Sequence, residues 1–136
     1  MEIVNHKTSG GVCSITLNNP EKRNALGIEM FDAIDSAMNT IDRQTRCVLF
    51  TGEGSVFCSG FDMRACAEDL SILGTYIQRL STVIRTLRRL HCPVVVAAHG
   101  AAIAGGCAML TGCDFVVGGT KSKYGYPVHQ LGISPA

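Results

Sequence analysis

Two glycine-containing stretches could present backbone N–H groups to a ligand. The first is Gly100-Ala-Ala-Ile-Ala-Gly-Gly106, which follows an apolar run and opens a predicted helix. The first N–H groups of a helix have no partner within it, and Ala and Gly leave room for a ligand oxygen. The second is Val56-Phe-Cys-Ser-Gly-Phe-Asp-Met63, where Ser59-Gly60 can turn the N–H of Phe61 into a cleft. Groups of this kind stabilise a developing oxyanion.

Each stretch also has a purely structural interpretation. The first could serve close packing of a helix on a strand, and the second could be an ordinary turn into a helix capped by Asp62. A phosphate-binding loop is excluded for the first stretch, because Gly106 and Cys107 stand where that motif requires Lys and then Ser or Thr.

Strands and helices alternate along the chain and must position these stretches. Period-two alternation predicts a strand over 13–18, paired through a turn at Gly10-Gly11 with residues 2–7. Apolar spacing predicts helices over 28–41 and about 70–90. Buried strands are predicted over 46–51, 94–98 and 114–117, with a short buried helix after Gly100, whereas 124–136 has no clear period. This order favours an α/β fold with parallel strands, which bind ligands at their carboxyl ends.

Composition limits the functional classes. The chain has 136 residues, a formal net charge of +1 and 46% hydrophobic residues, which suits one globular domain and excludes disorder. No overall field favours nucleic acid or an anionic membrane, and no apolar run is long enough to span a bilayer. Glu2, His6 and Lys7 interrupt any early apolar run, so no signal peptide is expected.

The cysteines and histidines predict neither a disulfide framework nor a metal site. There are seven cysteines, an odd number, with no C-x-x-C pair, and the four histidines lack zinc-ligand spacing. We therefore expect a reducing, cytoplasmic compartment and no metal.

Four ordered segments together resemble the enoyl-CoA hydratase/isomerase (crotonase) superfamily. Residues 19–26 are similar to the family's N-x-P-x-x-x-N-A-L opening, and residues 57–63 to its F-C-A-G-x-D-[LI] loop. Residues 93–114 resemble the long segment that runs from K-P-V to C-D. Residues 124–127 and 131–135 resemble F-x-x-P-E-x-x-L-G-[IL]-x-P. The similarity runs along the whole chain.

The resemblance implies a crotonase-like spiral of repeated ββα units. Residues 1–136 would form a single core domain without the family's C-terminal helical part, because the chain stops just after the L-G-x-x-P motif. It implies a coenzyme A thioester as substrate, no other cofactor, and a homotrimer or a dimer of trimers. The oxyanion-hole donors would be the N–H groups of Phe61 and Gly105.

The same resemblance implies a set of residues around the ligand. Arg23 and Ala25 match positions that line the coenzyme A moiety, and a solvated Arg23 is the simpler alternative. Ser59, Asp62 and Met63 match the loop around the pantetheine and adenine ends.

The chain departs from the family's hydratases at their acid–base positions. Two glutamates place and activate water in those enzymes, and Ala108 and Val128 occupy the matching positions. A third carboxylate position, used by some isomerases and a dehalogenase, falls on Ala136. General acids and bases typically contribute about 10²–10⁴-fold each, which Ala and Val cannot supply. His129, beside the second position, is a candidate acid–base group or else a surface or packing histidine.

We therefore predict an enzyme of this superfamily that is isomerase-, decarboxylase- or hydrolase-like rather than a two-glutamate hydratase. Each of these reactions passes through an enolate or a tetrahedral oxyanion. A catalytically silent acyl-CoA-binding subunit is the second hypothesis, and an interaction or structural module that has lost the ligand is the third.

Overall fold

The computed structural model describes residues 2–132. The chain opens with an antiparallel hairpin of β1 (Val4–Ser9) and β2 (Val12–Leu17). The turn between them has φ of +58° at Gly10 and +79° at Gly11, values that Gly adopts without steric cost and that suit the twist of a hairpin. The predicted hairpin is confirmed.

Three further strands extend this hairpin into a sheet. These are β3 (Cys47–Gly52), β4 (Val94–Ala97) and β6 (Phe115–Val117), and the sheet order is β1-β2-β3-β4-β6. From β2 onward every neighbouring pair is parallel, which confirms the predicted parallel pairing. The predicted strands differ from the observed ones by one or two residues at their ends.

Helices pack on this sheet and connect its strands. They are α1 (Ile28–Met38), α2 (Met63–Glu68), α3 (Ile72–Arg89) and α4 (Gly105–Leu110). Short 3-10 helices span Pro20–Lys22 and Val128–Leu131. The two long helices confirm the helical spacing. Helix α2 was expected only in the alternative in which Asp62 caps a helix, because six residues carry too little periodicity to distinguish a helix from a loop.

A second layer of short extended segments lies across the ends of the main strands. Strand β5 (Ala101–Ile103) pairs in parallel with β7 (Lys123–Gly125). Isolated parallel bridges join Leu26 to Phe61 and Cys58 to Ala102. The sequence suggested that small residues after Gly100 enter a helix directly. Instead they form β5 first, because small residues have weak local preferences and the buried Ala102 pairs across the layer.

The chain therefore repeats a simple unit: a long strand, a short crossing segment and a helix. Successive units place their long strands side by side in the main sheet and their crossing segments side by side in the second layer. This is the predicted spiral of ββα units. The core lies between the sheet and α1 and α3, with Phe31, Phe50, Phe57 and Tyr76 among its largest buried side chains.

Residues 133–136 lie outside the described part of the chain. They include the end of the Leu-Gly-Ile-Ser-Pro motif and the predicted carboxylate position at Ala136. Across residues 2–132, no helix combines the length and apolarity needed to cross a membrane.

Candidate active site

Asn24 anchors the polar loop that precedes α1. Its side chain is fully buried and its backbone is left-handed, with φ of +54°. The Nδ2 amide donates hydrogen bonds to the carbonyl oxygens of Glu53 (2.9 Å), Val56 (3.1 Å) and Phe57 (3.0 Å). Its Oδ1 accepts from the Asn19 N–H at 2.9 Å. One side chain thus joins the loop to the segment that leads into Phe61.

Backbone pairing then orients Phe61. The Leu26 N–H donates to the Gly60 carbonyl at 2.8 Å, and the Asp62 N–H donates to the Leu26 carbonyl at 2.9 Å. In a parallel bridge of this kind the residues on either side of Phe61 make the bonds, so the Phe61 N–H faces the other way. Within residues 2–132 that N–H donates no hydrogen bond.

Gly105 begins α4 directly opposite this segment, and its N–H likewise has no acceptor in the described part of the chain. The approach is close at Gly60, where φ is +97°. A Cβ at Gly60 would lie 3.5 Å from the Gly105 nitrogen and 2.9 Å from the Ile103 carbonyl oxygen. Glycine at position 60 therefore allows the two segments to meet and brings their unpaired N–H groups into one region.

The residue before Gly105 is strained. Ala104 has φ of +48° and ψ of −115°, a conformation that costs a non-glycine residue roughly 1–3 kcal/mol. It is held there because its N–H donates to the Gly125 carbonyl at 2.8 Å and its carbonyl accepts from the Ala108 N–H at 2.9 Å. Strain of this kind concentrates at functional positions. Here the strained conformation of Ala104 turns the chain from β5 into α4.

Phe61 is supported from behind by an aromatic stack. Its ring lies 5.5 Å from that of the buried Tyr76 on α3, and the Tyr76 ring lies 6.0 Å from that of Phe31 on α1. A Cβ at Gly105 would lie only 3.1 Å from Phe61 Cε1. The Phe61 ring is thus held between α3 and α4.

Phe61 and Gly105 form part of the wall of a cleft of about 590 Å³. Its other lining residues are Ser59, Met63, Leu73, Ile77, Leu80, Ser81, Ile84, Ile103, Ala104, Cys107, Ala108, Thr111, Tyr126, Pro127, Val128 and Gln130. No Asp, Glu, Lys, Arg or His is among the residues in 2–132 that line this cleft. The cleft is suited to an apolar group and has unpaired backbone donors at one place in its wall.

Helix α3 supplies a large part of the cleft, which the sequence did not reveal. Helical spacing puts one set of residues on a single face: Leu73, Ile77, Leu80, Ile84 and Leu87. The structure divides that face, because Leu87 is buried in the core whereas Leu73, Ile77 and Ile84 line the cleft. The spacing of these residues is that of an ordinary core-facing stripe, so it carries no signal for the cleft.

Two of the predicted coenzyme A residues lie beside the cleft rather than in its wall. Arg23 is exposed and left-handed, with φ of +52°, and its carbonyl accepts from the Ser59 N–H at 3.1 Å. Ala25 is half-buried, and its N–H donates to Lys22. The backbone of Arg23 is therefore fixed next to Ser59, which does line the cleft.

Asp62 and Met63 follow Phe61 and take different roles. The Asp62 carboxylate caps α2 by accepting from the N–H groups of Arg64 (3.1 Å) and Ala65 (3.5 Å). This is the structural interpretation that the sequence left open for Asp62. Met63 lines the cleft, and about half of its surface is exposed.

Of the three predicted acid–base positions in the described residues, two line the cleft and one does not. Ala108 and Val128 both line the cleft, as their alignment with hydratase glutamates implied. His129 is exposed on the 3-10 helix and is not among the lining residues. Tyr126 lines the cleft, whereas the Tyr124 hydroxyl donates to the Ala98 carbonyl at 2.7 Å. The structure therefore places no described imidazole in the cleft wall.

The thiols of the chain are free, including Cys107 in the cleft. Burial raises the pKa of Cys107, so it is a neutral thiol near pH 7 and a weak nucleophile. Burial likewise raises the pKa of Cys58 to about 12. Within residues 2–132, no group of three or more His, Cys, Asp or Glu side chains is arranged to hold a metal ion.

Comparison with known proteins gives consistent relatives. The model of the family "Enoyl-CoA hydratase/isomerase" matches residues 7–136. Enoyl-CoA hydratase EchA19 of Mycobacterium tuberculosis is 35% identical over 132 residues, which cover 93% of this chain and 50% of that protein. The 1,2-epoxyphenylacetyl-CoA isomerase of Escherichia coli K12 is 30% identical over 142 residues, which cover 99% of this chain and 54% of that protein.

A solved structure agrees with these relatives. The crystal structure of an enoyl-CoA hydratase from Mycobacterium smegmatis superposes with a TM-score of 0.90 at 27% identity, covering 96% of this chain and 53% of that one. The chain spans about half the length of the curated relatives that it matches.

Proposed function

Because this chain belongs to the enoyl-CoA hydratase/isomerase family, we propose that it binds an acyl-CoA ester in the cleft and stabilises an oxyanion on the thioester oxygen. The observation that carries the proposal is the pair of N–H groups of Phe61 and Gly105. They belong to adjoining segments in the cleft wall and donate no hydrogen bond within residues 2–132.

The physical basis is differential stabilisation of charge. When an enolate or a tetrahedral intermediate forms, the thioester oxygen becomes negative, and two preorganised donors stabilise it more than they stabilise the neutral ester. Loss of one such donor typically costs about 3–4 kcal/mol of transition-state stabilisation. The strained turn at Ala104 and the stack behind Phe61 keep both donors in place, so little reorganisation accompanies the reaction.

The reaction that we propose is isomerase-, decarboxylase- or hydrolase-like. Two-glutamate hydration is disfavoured because Ala108 and Val128 line the cleft where carboxylates would act, and no described lining residue is Asp or Glu. Decarboxylation suits such a wall, because it needs an oxyanion hole and an apolar surface around the departing carboxylate. After decarboxylation, the proton that converts the enolate to the product ester would come from water or from the Tyr126 hydroxyl.

A catalytically silent acyl-CoA-binding subunit is the second candidate, and the same uncharged wall favours it. Such a subunit would keep the two donors and bind the ester without turnover. The third, a module that has lost the ligand, predicts no binding of the ester.

The remaining parts of the proposal concern the ligand's other end, assembly and compartment. Arg23 is our candidate for contact with the coenzyme A moiety. The supporting observations are that it is exposed and that its backbone carbonyl accepts from the N–H of Ser59, which lines the cleft. Assembly as a homotrimer or dimer of trimers is supported by the exposed apolar strand β6, where Phe115 and Val117 are 62% and 58% exposed. The free thiols fit a cytoplasmic, reducing compartment, and the ester is a substrate rather than a cofactor.

The central test compares a CoA thioester with its thioether analogue, which lacks the carbonyl oxygen. We expect the thioester to bind roughly tenfold more tightly by calorimetry, because two hydrogen bonds are lost with the oxygen. The carbonyl stretch of a ¹³C-labelled thioester should move to lower frequency on binding. Equal affinities together with an unshifted stretch would overturn the proposed oxyanion hole.

Matched glycine variants locate this effect. A methyl group at Gly105 would meet Phe61 Cε1 at 3.1 Å and Leu26 Cδ1 at 3.2 Å, so Gly105→Ala should disturb the oxyanion hole. We expect it to reduce both the preference for the thioester over the thioether and the shift of the carbonyl stretch. Gly74→Ala in α3 has open space around it and should leave both unchanged. Turnover of crotonyl-, 3-enoyl- and malonyl-type CoA esters then separates the enzyme from the silent subunit, which binds the ester and converts none of them.

A further inference from the structure

Tyr126 is held beside the oxyanion donor Gly105 by the pairing of β5 with β7. The ladder continues one residue past the pair of Ile103 and Gly125, because the Ala104 N–H donates to the Gly125 carbonyl at 2.8 Å. In a parallel ladder this bond sets Tyr126 opposite Ala104, at a strand spacing of about 4.8 Å. Tyr126 therefore lies across the second layer from the residue that precedes Gly105.

Pro127 ends this pairing where α4 begins. The next donor of the ladder would be the N–H of residue 127, directed at the Ala104 carbonyl, and proline has no N–H. The Ala104 carbonyl instead accepts from the Ala108 N–H at 2.9 Å, within the first turn of α4. The chain thus fixes the backbone of Tyr126 next to the point where Gly105 enters the cleft wall.

The Tyr126 hydroxyl is available to a ligand. Tyr126 lines the cleft, and its hydroxyl makes no hydrogen bond within residues 2–132. Tyr124, two residues earlier, differs in both respects, because it does not line the cleft and its hydroxyl donates to the Ala98 carbonyl at 2.7 Å. Tyr126 is also 38% exposed, so a hydroxyl that gives up its proton can recover one from solvent.

Few side chains in the described cleft wall can give a proton to carbon. The wall includes no Asp, Glu, Lys, Arg or His among residues 2–132, and the two lining side chains of an ordinarily titrating type are Tyr126 and Cys107. Burial raises the pKa of the Cys107 thiol, which makes it a weaker acid than an exposed thiol. Tyr126 is therefore the better placed donor.

The proposed oxyanion hole fixes where such a donor must stand. Carbon 2 of an acyl group is bonded to the thioester carbonyl carbon, so it lies about 2.4 Å from the oxygen that Phe61 and Gly105 would stabilise. A general acid has to come within hydrogen-bond reach of the atom that it protonates. A side chain that is fixed next to Gly105 and lines the cleft meets this condition.

We propose that Tyr126 is a catalytic residue, which donates its hydroxyl proton to carbon 2 of the enolate formed by decarboxylation. The inference rests on the proposed function and decides between water and Tyr126 as the proton source. The bond between carbon 2 and the carboxylate breaks, its electron pair forms the enolate, and CO₂ leaves. The Tyr126 O–H bond then breaks, its proton forms the new C–H bond at carbon 2, and the phenolate takes a proton from water.

A fixed donor has a stereochemical consequence. The enolate is planar at carbon 2, and a hydroxyl held on one side of it delivers the proton to one face. Water that enters the cleft from solvent is not held on one side and protonates both faces. The configuration of the product at carbon 2 therefore distinguishes the two proton sources.

The test decarboxylates 2-methylmalonyl-CoA with the purified protein in D₂O, over a time too short for uncatalysed exchange of its carbon 2 proton. The incoming deuterium makes carbon 2 of the product propionyl group chiral, and NMR of a chiral ester of the released propionate measures its configuration. We expect one configuration from the wild-type protein and nearly equal amounts of both from Tyr126→Phe. CO₂ release should continue in the variant, because the C–C bond breaks before carbon 2 is protonated.

Tyr124→Phe is the matched control. It removes the same hydroxyl two residues earlier, outside the cleft wall, and should keep the single configuration. Tyr126→Phe should also keep the shift of the thioester carbonyl stretch on binding, because the oxyanion donors are backbone groups. A lost configuration together with an unchanged shift would thus separate loss of the proton donor from damage to the oxyanion hole.

The outcomes separate this inference from the proposed function. Both configurations from the wild-type protein, or a single configuration from Tyr126→Phe, would overturn the role of Tyr126 and leave the oxyanion hole standing. Absence of CO₂ release would also overturn that role, while the comparison of thioester with thioether still decides the oxyanion hole. A CoA thioester that fails to bind overturns both.

Discussion

At the scale of single residues, Asn24 has the largest influence on the geometry of the candidate site without lining the cleft itself. Its amide satisfies the carbonyls of Val56 and Phe57 inside the protein, just before the turn at Gly60. No water reaches a fully buried side chain, so each of these carbonyls depends on Asn24. Asparagine also tolerates the left-handed backbone better than most residues do.

We expect Asn24→Ala to lower the free energy of unfolding by about 3–4 kcal/mol. Buried carbonyls left unpaired cost about 1–3 kcal/mol, and a left-handed alanine adds about 1 kcal/mol. Urea denaturation measures the change. Asn24→Gly should recover about 1 kcal/mol of it by removing the backbone penalty alone.

Asn18→Ala is the control for this effect. Its Nδ2 donates to the Glu2 carbonyl at 2.9 Å in an exposed setting, so the loss should stay below about 1 kcal/mol. Equal losses for Asn18→Ala and Asn24→Ala would show that burial of the Asn24 network does not stabilise the loop.

At the scale of elements, α3 forms both the core and one cleft wall. Contacts with α1 set the orientation of α3. The Arg79 guanidinium forms ion pairs with Asp32 at 2.7 Å and Asp35 at 2.9 Å on α1, and it lies 5.7 Å from the centre of the Phe31 ring. Exposed ion pairs contribute little free energy, so this contact mainly fixes the angle of α3 on α1. The cleft wall of Leu73, Ile77 and Ser81 follows from that angle.

Helix α2 depends on its cap. We expect Asp62→Ala to cost about 1 kcal/mol in unfolding free energy, because two N–H groups lose their acceptor, while Asp62→Asn stays within about 0.5 kcal/mol since asparagine caps equally well. Denaturation of the two variants measures the difference. Similar losses in both variants would contradict a capping role.

The same pair separates capping from substrate binding. If the Asp62 carboxylate also contacts the ligand, Asp62→Asn lowers acyl-CoA affinity while leaving stability unchanged. Calorimetry on that variant therefore decides between the two interpretations that the sequence left open for this residue.

At the scale of the whole molecule, buried thiols make stability depend on alkaline pH. Burial raises the pKa of Cys58 from 9.0 to about 12, and burial together with the nearby Asp114 raises that of Cys113 to about 12. Above pH 9 the unfolded chain loses these protons and the folded chain keeps them. The contribution of these two thiols to the free energy of unfolding is therefore fully present below about pH 9 and is lost as pH rises towards 12.

We expect the free energy of unfolding to fall between pH 9 and 10.5, by up to about 1.4 kcal/mol per pH unit for each thiol. Urea midpoints across this range measure the slope. Cys113→Ala should reduce the slope, and its effect at pH 7.5 provides the control, because only packing differs there. An identical slope in Cys113→Ala would exclude Cys113 from the alkaline loss.

The sequence by itself determined the hairpin, the long helices, the parallel strands and the family. These follow from local signals: glycines at a tight turn, apolar periodicity, β-branched runs and ordered motifs. It also located the two stretches that contain Phe61 and Gly105, whose N–H groups donate no hydrogen bond within residues 2–132. Both stretches stand out because glycine and small residues follow predicted strands there, at the strand ends where α/β folds bind ligands.

Only the tertiary structure decided how the cleft is built. Pairing across the second layer turned residues 101–103 into a strand, and packing against two surfaces divided α3 between the core and the cleft. It also gave the Asp62 carboxylate to a helix cap, placed His129 outside the cleft wall and brought Ser81 into it. The physical reason is the same in each case: a local pattern records what a residue prefers, whereas its partner is supplied by segments that are distant in the sequence.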